Sequence, residues 1–174
     1  AISNNWFTNS NNTAGYIYII RDPRDIAVSW AKHANLTYDQ SIDFMLDFNS
    51  CIEWARANSE LPDHIKPRSF LSSWDEHVAS WTNNDLSVPK LILKYEDVVY
   101  KKSEVLSQIV DFFEKSFKIN FNLDEKKFNN IIKTTDFKKL KSLENKHGFT
   151  EAVSGTFFRQ GEKNQWKNIL NLAQ

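Results

Sequence analysis

The stretch Tyr16-Ile17-Tyr18-Ile19-Ile20-Arg21-Asp22-Pro23-Arg24-Asp25 decides the fold. Its first five residues are a short, unbroken apolar run with β-branched members, as in a strand buried on both faces of a parallel sheet. The run stops at a helix start. Asp22 suits the N-cap, Pro23 suits the first helical position, and Asp25 stands three residues past the cap. The helix is predicted to pass through Ala27, Val28, Trp30 and Ala31 to about Asn35. A second strand of similar character spans Lys90 to Tyr95, entered through Pro89, a residue tolerated at a strand's first position.

Helical patterns lie between and after the strands. Tyr38 to Arg56 carries Ile42, Met45, Leu46 and Cys51 near a 3.6 period, and Ser72 to Trp81 places Trp74, His77, Val78 and Trp81 on one face. Ser103 to Phe117 puts Val105, Ile109, Phe112 and Phe113 on one side. Asp124 caps a helix with Phe128, Ile131 and Ile132 inward, and a short helix holds Phe137, Leu140 and Leu143. Gly148, Gly155 and Gly161 mark loop before Trp166 opens a last helix. Strand, helix, long helical crossover, strand, helix is the order of an α/β protein with a parallel sheet. Residues 1–174 read as a single domain. Two strands are too few to bury their own edges, so more sheet is expected upstream, and the exposed edge and apolar surface predict self-association or strand exchange.

Composition narrows the partners. The formal net charge is zero, which gives no general attraction to nucleic acid or to an anionic membrane. Any anion site must be local, built from a few placed Arg, Lys and backbone N–H groups. A hydrophobic fraction of 41%, with six Trp and thirteen Phe, supports a packed core and excludes a disordered chain. The single cysteine, Cys51, excludes an internal disulfide framework and fits a reducing compartment such as the cytoplasm. Its neighbours Ile52 and Glu53 supply no positive charge, so it reads as a small hydrophobe rather than a reactive thiol. No apolar run approaches the length of a membrane span, about 18 residues, and nothing resembles a signal peptide. The chain starts Ala1-Ile2-Ser3 with a polar stretch (Asn4, Asn5, Thr8 to Asn12) and ends at Leu172-Ala173-Gln174 inside a helical pattern. Both edges lead to the expectation of a fragment.

Four places carry candidate chemistry. Arg21 stands at the carboxyl end of a buried strand, where open α/β sheets bind ligands, and its planar fork of donors matches a phosphate. Ser29, two turns into the helix, can add a hydroxyl. The alternative is a structural ion pair of Arg21 with Asp22 or Asp25. Phe157-Phe158-Arg159-Gln160-Gly161, followed by Trp166-Lys167-Asn168, offers a glycine for close backbone approach and an adjacent charge; taken alone it also reads as a surface turn. Tyr95-Glu96-Asp97 ends the second strand, and Thr134-Thr135-Asp136-Phe137 supplies the fourth place. Tyr95 and Phe137 could sandwich a nucleobase, although aromatics there are more often core.

Taken together, the order Tyr18 to Ser29, Ser73 to Trp81, Lys94 to Val98, Thr135 to Phe137 and Phe157 to Asn168 resembles the cytosolic-type sulfotransferases that use 3′-phosphoadenosine-5′-phosphosulfate (PAPS). The resemblance covers nearly the whole chain. It implies a P-loop NTPase-like three-layer α/β fold with a central parallel sheet, incomplete here at its N-terminal side. It further implies that Arg21, Ser29, Arg159 and Gly161 bind the 3′-phosphate of PAPS or of 3′-phosphoadenosine-5′-phosphate (PAP), and that Tyr95, Thr135 and Phe137 hold the adenine. Gln160 occupies a loop position that is commonly Lys in the family, so one phosphate contact is expected to be weaker. The segment Ile169 to Leu172 departs from the pattern that helps many relatives dimerise. The acceptor is expected to be a small molecule with a hydroxyl or amine. Tyr38 to Leu71 is expected on the acceptor side, and nothing in it specifies the compound.

The family's sulfate-binding loop, with a Lys and hydroxyl residues, and its base, a His in a Lys-Thr-His-like segment, do not occur in this sequence. Neither does a Gly-x-x-x-x-Gly-Lys-Ser/Thr loop. His33, His64, His77 and His147 stand elsewhere and lack paired metal-ligand spacing, so no metal and no catalytic residue is assigned within the chain. His77 is expected to pack or hydrogen-bond, and His64, beside Pro62 and Pro67, to lie in a loop. The chain alone is expected to be weakly active or inactive. The rival reading is a non-catalytic nucleotide-binding or interaction module of the same fold. A nucleoside-phosphate kinase is more distant, because it leaves Phe157 to Asn168 unexplained.

Overall fold

The structure is a computed structural model, described for residues 9–53, 68–83, 86–150, 152 and 155–174. The chain divides into two compact units, Ala1–Asp22 with Asp85–Gln165, and Pro23–Asn84 with Trp166–Gln174.

The first unit is built on a parallel pair. Strand β1 (Tyr16–Ile20) runs beside β4 (Lys90–Lys94), in a register that sets Tyr16 against Lys90 and Ile20 against Lys94. A close approach at its entry supports this register. Tyr16 N–H donates to the Pro89 carbonyl at 3.1 Å, and a Cβ at Gly15 would stand 2.8 Å from that carbonyl oxygen and 2.8 Å from the Phe117 ring. Burial pushes the Tyr18 hydroxyl's pKa up. The pair leaves Ile19 50% and Ile92 37% exposed.

Chain direction changes at Tyr95. The strand predicted to include it ends at Lys94, and Tyr95 opens a short helix, α4 (Tyr95–Tyr100). Glu96 and Asp97 occupy the first turn of α4, where carboxylates face the positive end of the helix dipole. Helix α5 (Lys102–Phe117) buries Val105 and carries a cluster of Phe112, Phe113 and Phe117, with Phe121 beyond its end. Helix α6 (Glu125–Thr134) is capped by Asp124, whose side chain accepts from Lys127 N–H, and α7 (Phe137–His147) by Asp136, which accepts from Lys138 N–H. Both helices match the pattern, with one change on α7. Leu143 is 44% exposed while Glu144, at 8%, takes the buried position in line with Phe137 and Leu140.

The second unit holds α1 (Pro23–His33), α2 (Tyr38–Leu46) and α3 (Trp74–Thr82) with a small antiparallel pair, β2 (Cys51–Glu53) and β3 (Arg68–Phe70). Ala27, Val28 and Ala31 are buried on α1, and the buried Ser41 hydroxyl of α2 donates to the Ala27 carbonyl at 2.8 Å. Helix α1 stops where Asn35 enters the left-handed region (φ 54°) and Leu36 N–H reaches back to the Ala31 carbonyl, a Schellman-type end. The longer helix predicted from Tyr38 ends at Leu46 instead. Asn49 N–H bonds the Asp47 side chain, an Asx turn that competes with the helix, and Cys51 starts a strand. The remainder of that prediction, residues 54–56, lies outside the described residues, as do His64, Pro62, Pro67 and residues 1–8.

The last helix predicted from Trp166 is a single 3₁₀ turn, Gln165–Asn168. The chain then turns on Asn171, whose side chain accepts from the N–H groups of Ala173 and Gln174. Among the described residues no helix is long and apolar enough to cross a membrane.

Two outcomes follow from this packing. Gly15→Ala puts a methyl group against backbone at the entry to β1, and the expected cost is about 1–3 kcal/mol, read as a Tm lowered by several degrees in a thermal melt. His77 tests the second unit. Its Nδ1 donates to the Leu71 carbonyl at 3.2 Å, yet loss of solvent around the ring holds its pKa below the ordinary value, outweighing that bond. The unfolded chain therefore takes up the proton first. The stability from this site is complete above about pH 6.5 and falls as pH drops through the folded pKa. His77→Gln should flatten the slope of Tm against pH on the acid side of that value.

Candidate functional site

Parallel register builds the site. Ile20 and Lys94 are partners, so the next residues, Arg21 and Tyr95, emerge side by side at the carboxyl ends of both strands. The Arg21 guanidinium carbon lies 4.2 Å from the centre of the Tyr95 ring, within cation–π range. One residue on, Asp22 N–H donates to Glu96 Oε1 at 3.3 Å, tying the two strand ends together. Arg21 Nη2 reaches the Glu162 carbonyl at 3.5 Å, while its Nε is buried with no hydrogen-bond partner among the described residues. An unpaired buried donor costs about 1–3 kcal/mol. An anion bound at this strand end could relieve it.

Beside Tyr95 opens a cavity of about 600 Å³ lined by Val99, Lys102, Thr135, Phe137 and Leu140, among others. Thr135 ends α6. Its hydroxyl donates to the Ile131 carbonyl at 2.8 Å and its own carbonyl accepts from Lys102 Nζ at 2.9 Å. Lys102 Nζ also lies 3.8 Å from Asp136.

The loop from Phe157 to Gly161 packs onto the same aromatic. Phe158 meets Phe137 edge-on at 6.0 Å between centroids, and a Cβ at Gly161 (φ 64°) would come within 2.5 Å of the Phe137 ring. Helix α7 holds the loop's backbone. Glu144 Oε1 accepts from Phe157 N–H at 2.6 Å, Glu144 Oε2 from Phe158 N–H at 2.9 Å, and Lys141 Nζ donates to the Arg159 carbonyl at 2.7 Å. Arg159 is half-buried and Gln160 exposed.

Seven of the eight residues singled out in the sequence (Arg21, Tyr95, Thr135, Phe137, Arg159, Gln160 and Gly161) therefore belong to one unit. Ser29 lies half-buried on α1 of the other unit. In that unit Asp25, 1% exposed, accepts from Trp166 N–H at 3.1 Å, and Arg24 lies 3.7 Å over the Trp166 ring. Sequence reasoning missed Lys102, Lys141 and Glu144. The available signal was Glu144 standing seven residues after Phe137 and four after Leu140, a carboxylate on an apolar helix stripe. Among the described residues no group of three or more His, Cys, Asp or Glu is placed to hold a metal ion.

A family model described as the sulfotransferase domain matches residues 6–174. The chain is similar to sulfotransferase 2A2 of Rattus norvegicus, 28% identical over 175 residues, covering 94% of this chain and 53% of the relative. It is similar to sulfotransferase 1B1 of Canis lupus familiaris, 28% identical, covering 94% of this chain and 51% of the relative. Among solved structures it resembles mouse sulfotransferase SULT7A1 complexed with PAP, with a TM-score of 0.62 and 23% identity over 91% of this chain and 53% of that one. It also resembles retinol dehydratase in complex with androsterone and inactive cofactor PAP, at a TM-score of 0.58 and 22% identity over 89% of this chain and 42% of that one. The likeness to both is one of fold. The chain spans about half the length of the curated relatives it matches.

Gly161 and Gly155 make a matched pair for testing the loop. Both have positive φ, but a Cβ at Gly155 meets nothing within 4 Å. Gly155→Ala should cost only the left-handed backbone penalty, about 1–2 kcal/mol. Gly161→Ala should cost that plus about 1–3 kcal/mol of overpacking against Phe137. Denaturant melts of the two variants measure the difference.

Proposed function

Because the chain belongs to the sulfotransferase domain family, we propose that its Arg21–Tyr95–Phe137 site binds a 3′-phosphorylated adenine nucleotide, PAPS before sulfate transfer and PAP after it. The observation that carries this reading is the buried, unpartnered Arg21 Nε at the carboxyl end of β1, beside an aromatic ring and an open cavity. In this reading Arg21 presents its guanidinium fork to the 3′-phosphate, with charge from Arg159 and close backbone approach at Gly161. Tyr95, Thr135 and Phe137 line the pocket for the base. Gln160, a neutral side chain, gives a weaker hold than a Lys. The match over residues 6–174 supports treating both units as one domain.

The reaction proposed for the whole protein is in-line transfer of a sulfuryl group from PAPS to a hydroxyl or amine acceptor. The new bond from acceptor to sulfur forms as the bond from sulfur to the leaving phosphate breaks, and a general base takes the acceptor's proton. The residues of this chain contribute binding and orientation of the nucleotide and charge near its 3′-phosphate. They do not include the Lys-Thr-His-like segment that the resemblance assigns to the base, so the chain alone should transfer sulfate weakly or not at all. Discrimination against nucleotides without the 3′-phosphate is then this chain's main contribution.

Calorimetric titration with PAP, with 5′-AMP as control, tests the reading. PAP should bind at least about tenfold more tightly than 5′-AMP, the worth of one charge-assisted contact. Arg21→Ala should abolish the difference. Equal affinity for the two nucleotides in the folded chain would reject the nucleotide reading and favour an interaction module.

A further inference from the structure

Among the described residues no ion pair of Glu144 accounts for its burial. The residue is 8% exposed, and both carboxylate oxygens accept backbone N–H groups of consecutive residues, Phe157 at 2.6 Å and Phe158 at 2.9 Å. One turn away on the same helix, Lys141 Nζ donates to the Arg159 carbonyl at 2.7 Å. Three successive residues of a loop without regular structure are thus fastened, by two N–H groups and one carbonyl, to one face of α7. The third of them is Arg159, and they lead directly into Gln160 and Gly161.

Burying a carboxylate is costly, and an apolar residue of similar volume would serve packing alone at least as well. What an apolar residue cannot do is capture two adjacent N–H donors. It also cannot set the direction in which the next residues leave. Within the loop, Arg159 N–H donates to the Phe157 carbonyl at 2.9 Å and closes one tight turn. The flanking Gly155 and Gly161 both have positive φ, so the backbone at either end is of the most permissive kind. Without α7 as an anchor, Arg159 and the Gly161 backbone would sample many directions, and each would carry the entropy of ordering into any binding event.

We propose that Glu144, assisted by Lys141, is a positioning residue for recognition of the 3′-phosphate: it holds the Phe157–Gly161 backbone so that Arg159 and Gly161 are preorganised for the anion. The inference rests on the proposed nucleotide reading and adds to it the residues that set its specificity. Glu144 touches no part of the nucleotide in this scheme. It acts only through the loop.

Glu144→Gln provides the test. An amide keeps the shape but replaces one acceptor oxygen by an NH₂ donor facing a backbone N–H, so one bond is lost and replaced by a clash of donors. The PAP affinity is expected to fall about tenfold or more, while 5′-AMP affinity stays within about twofold. The PAP/5′-AMP ratio therefore collapses, which a general loss of stability would not produce. Lys141→Met, which keeps the stem and loses the donor, should lower the same ratio by about threefold. Circular dichroism and a thermal melt accompany each titration, and Lys141→Met decides the matter if Glu144→Gln does not fold. An unmodified chain that does not prefer PAP overturns the nucleotide reading and this inference with it. An unmodified chain that prefers PAP, with folded variants that keep the full preference, overturns the positioning role alone.

Discussion

The register between β1 and β4 is the constraint on which the candidate site depends. Parallel strands bring two distant segments to the same level, and whatever follows the last paired residues must share one space. Here the last pair is Ile20 with Lys94. Arg21 and Tyr95 then meet as cation and ring, and Asp22 and Glu96 as donor and acceptor. A shift of one residue would bring a different side chain beside Tyr95 and remove the Asp22–Glu96 bond. The tight entry at Gly15, against Pro89 and Phe117, supports this alignment from the other end of the strands.

A second layer of order comes from polar side chains that satisfy irregular backbone. Loop 157–161 has no ladder of its own, so α7 supplies acceptors and a donor through Glu144 and Lys141. In the other unit Asp25 does similar work for Trp166 N–H, and Ser41 for the Ala27 carbonyl. Fully buried side chains here include Val28 together with Asp25, Ser41 and Ser73. Buried polar groups of this kind are tolerable because each one is paired. They give fixed directions to segments that apolar contact alone would leave loosely defined.

Sulfotransferase membership and site geometry bear on different questions. Membership rests on a match across nearly the whole chain, while the nucleotide site proposed above rests on the cavity beside Tyr95 and Phe137 and on the orphaned Arg21 donor. The division is chemical: anion and base recognition need placed donors and rings, the role proposed for Arg21, Tyr95 and Phe137, and proton removal needs a base that the resemblance assigns to a segment not found in this sequence.

By itself the sequence determined whatever depends on residues close together along the chain. The apolar run Tyr16 to Ile20, the stop at Asp22-Pro23, the cap at Asp124, and the aromatic and Arg motifs were all legible, because strand patterns, helix periods and caps are local signals. Only tertiary structure decided what depends on long-range partners. The Arg21–Tyr95 contact and the Asp22–Glu96 bond, 74 residues apart, follow from register, which neither strand encodes alone. Tyr95 opens a helix rather than ending a strand, with Glu96 in its first turn bonded to that distant N–H. Glu144 looked like one more polar residue on a lysine-rich helix. Its place was set by a loop beginning 13 residues later, whose Phe157 and Phe158 N–H groups both donate to its carboxylate. Hydrogen-bond satisfaction is a property of the folded whole, and that is why these features become visible only there.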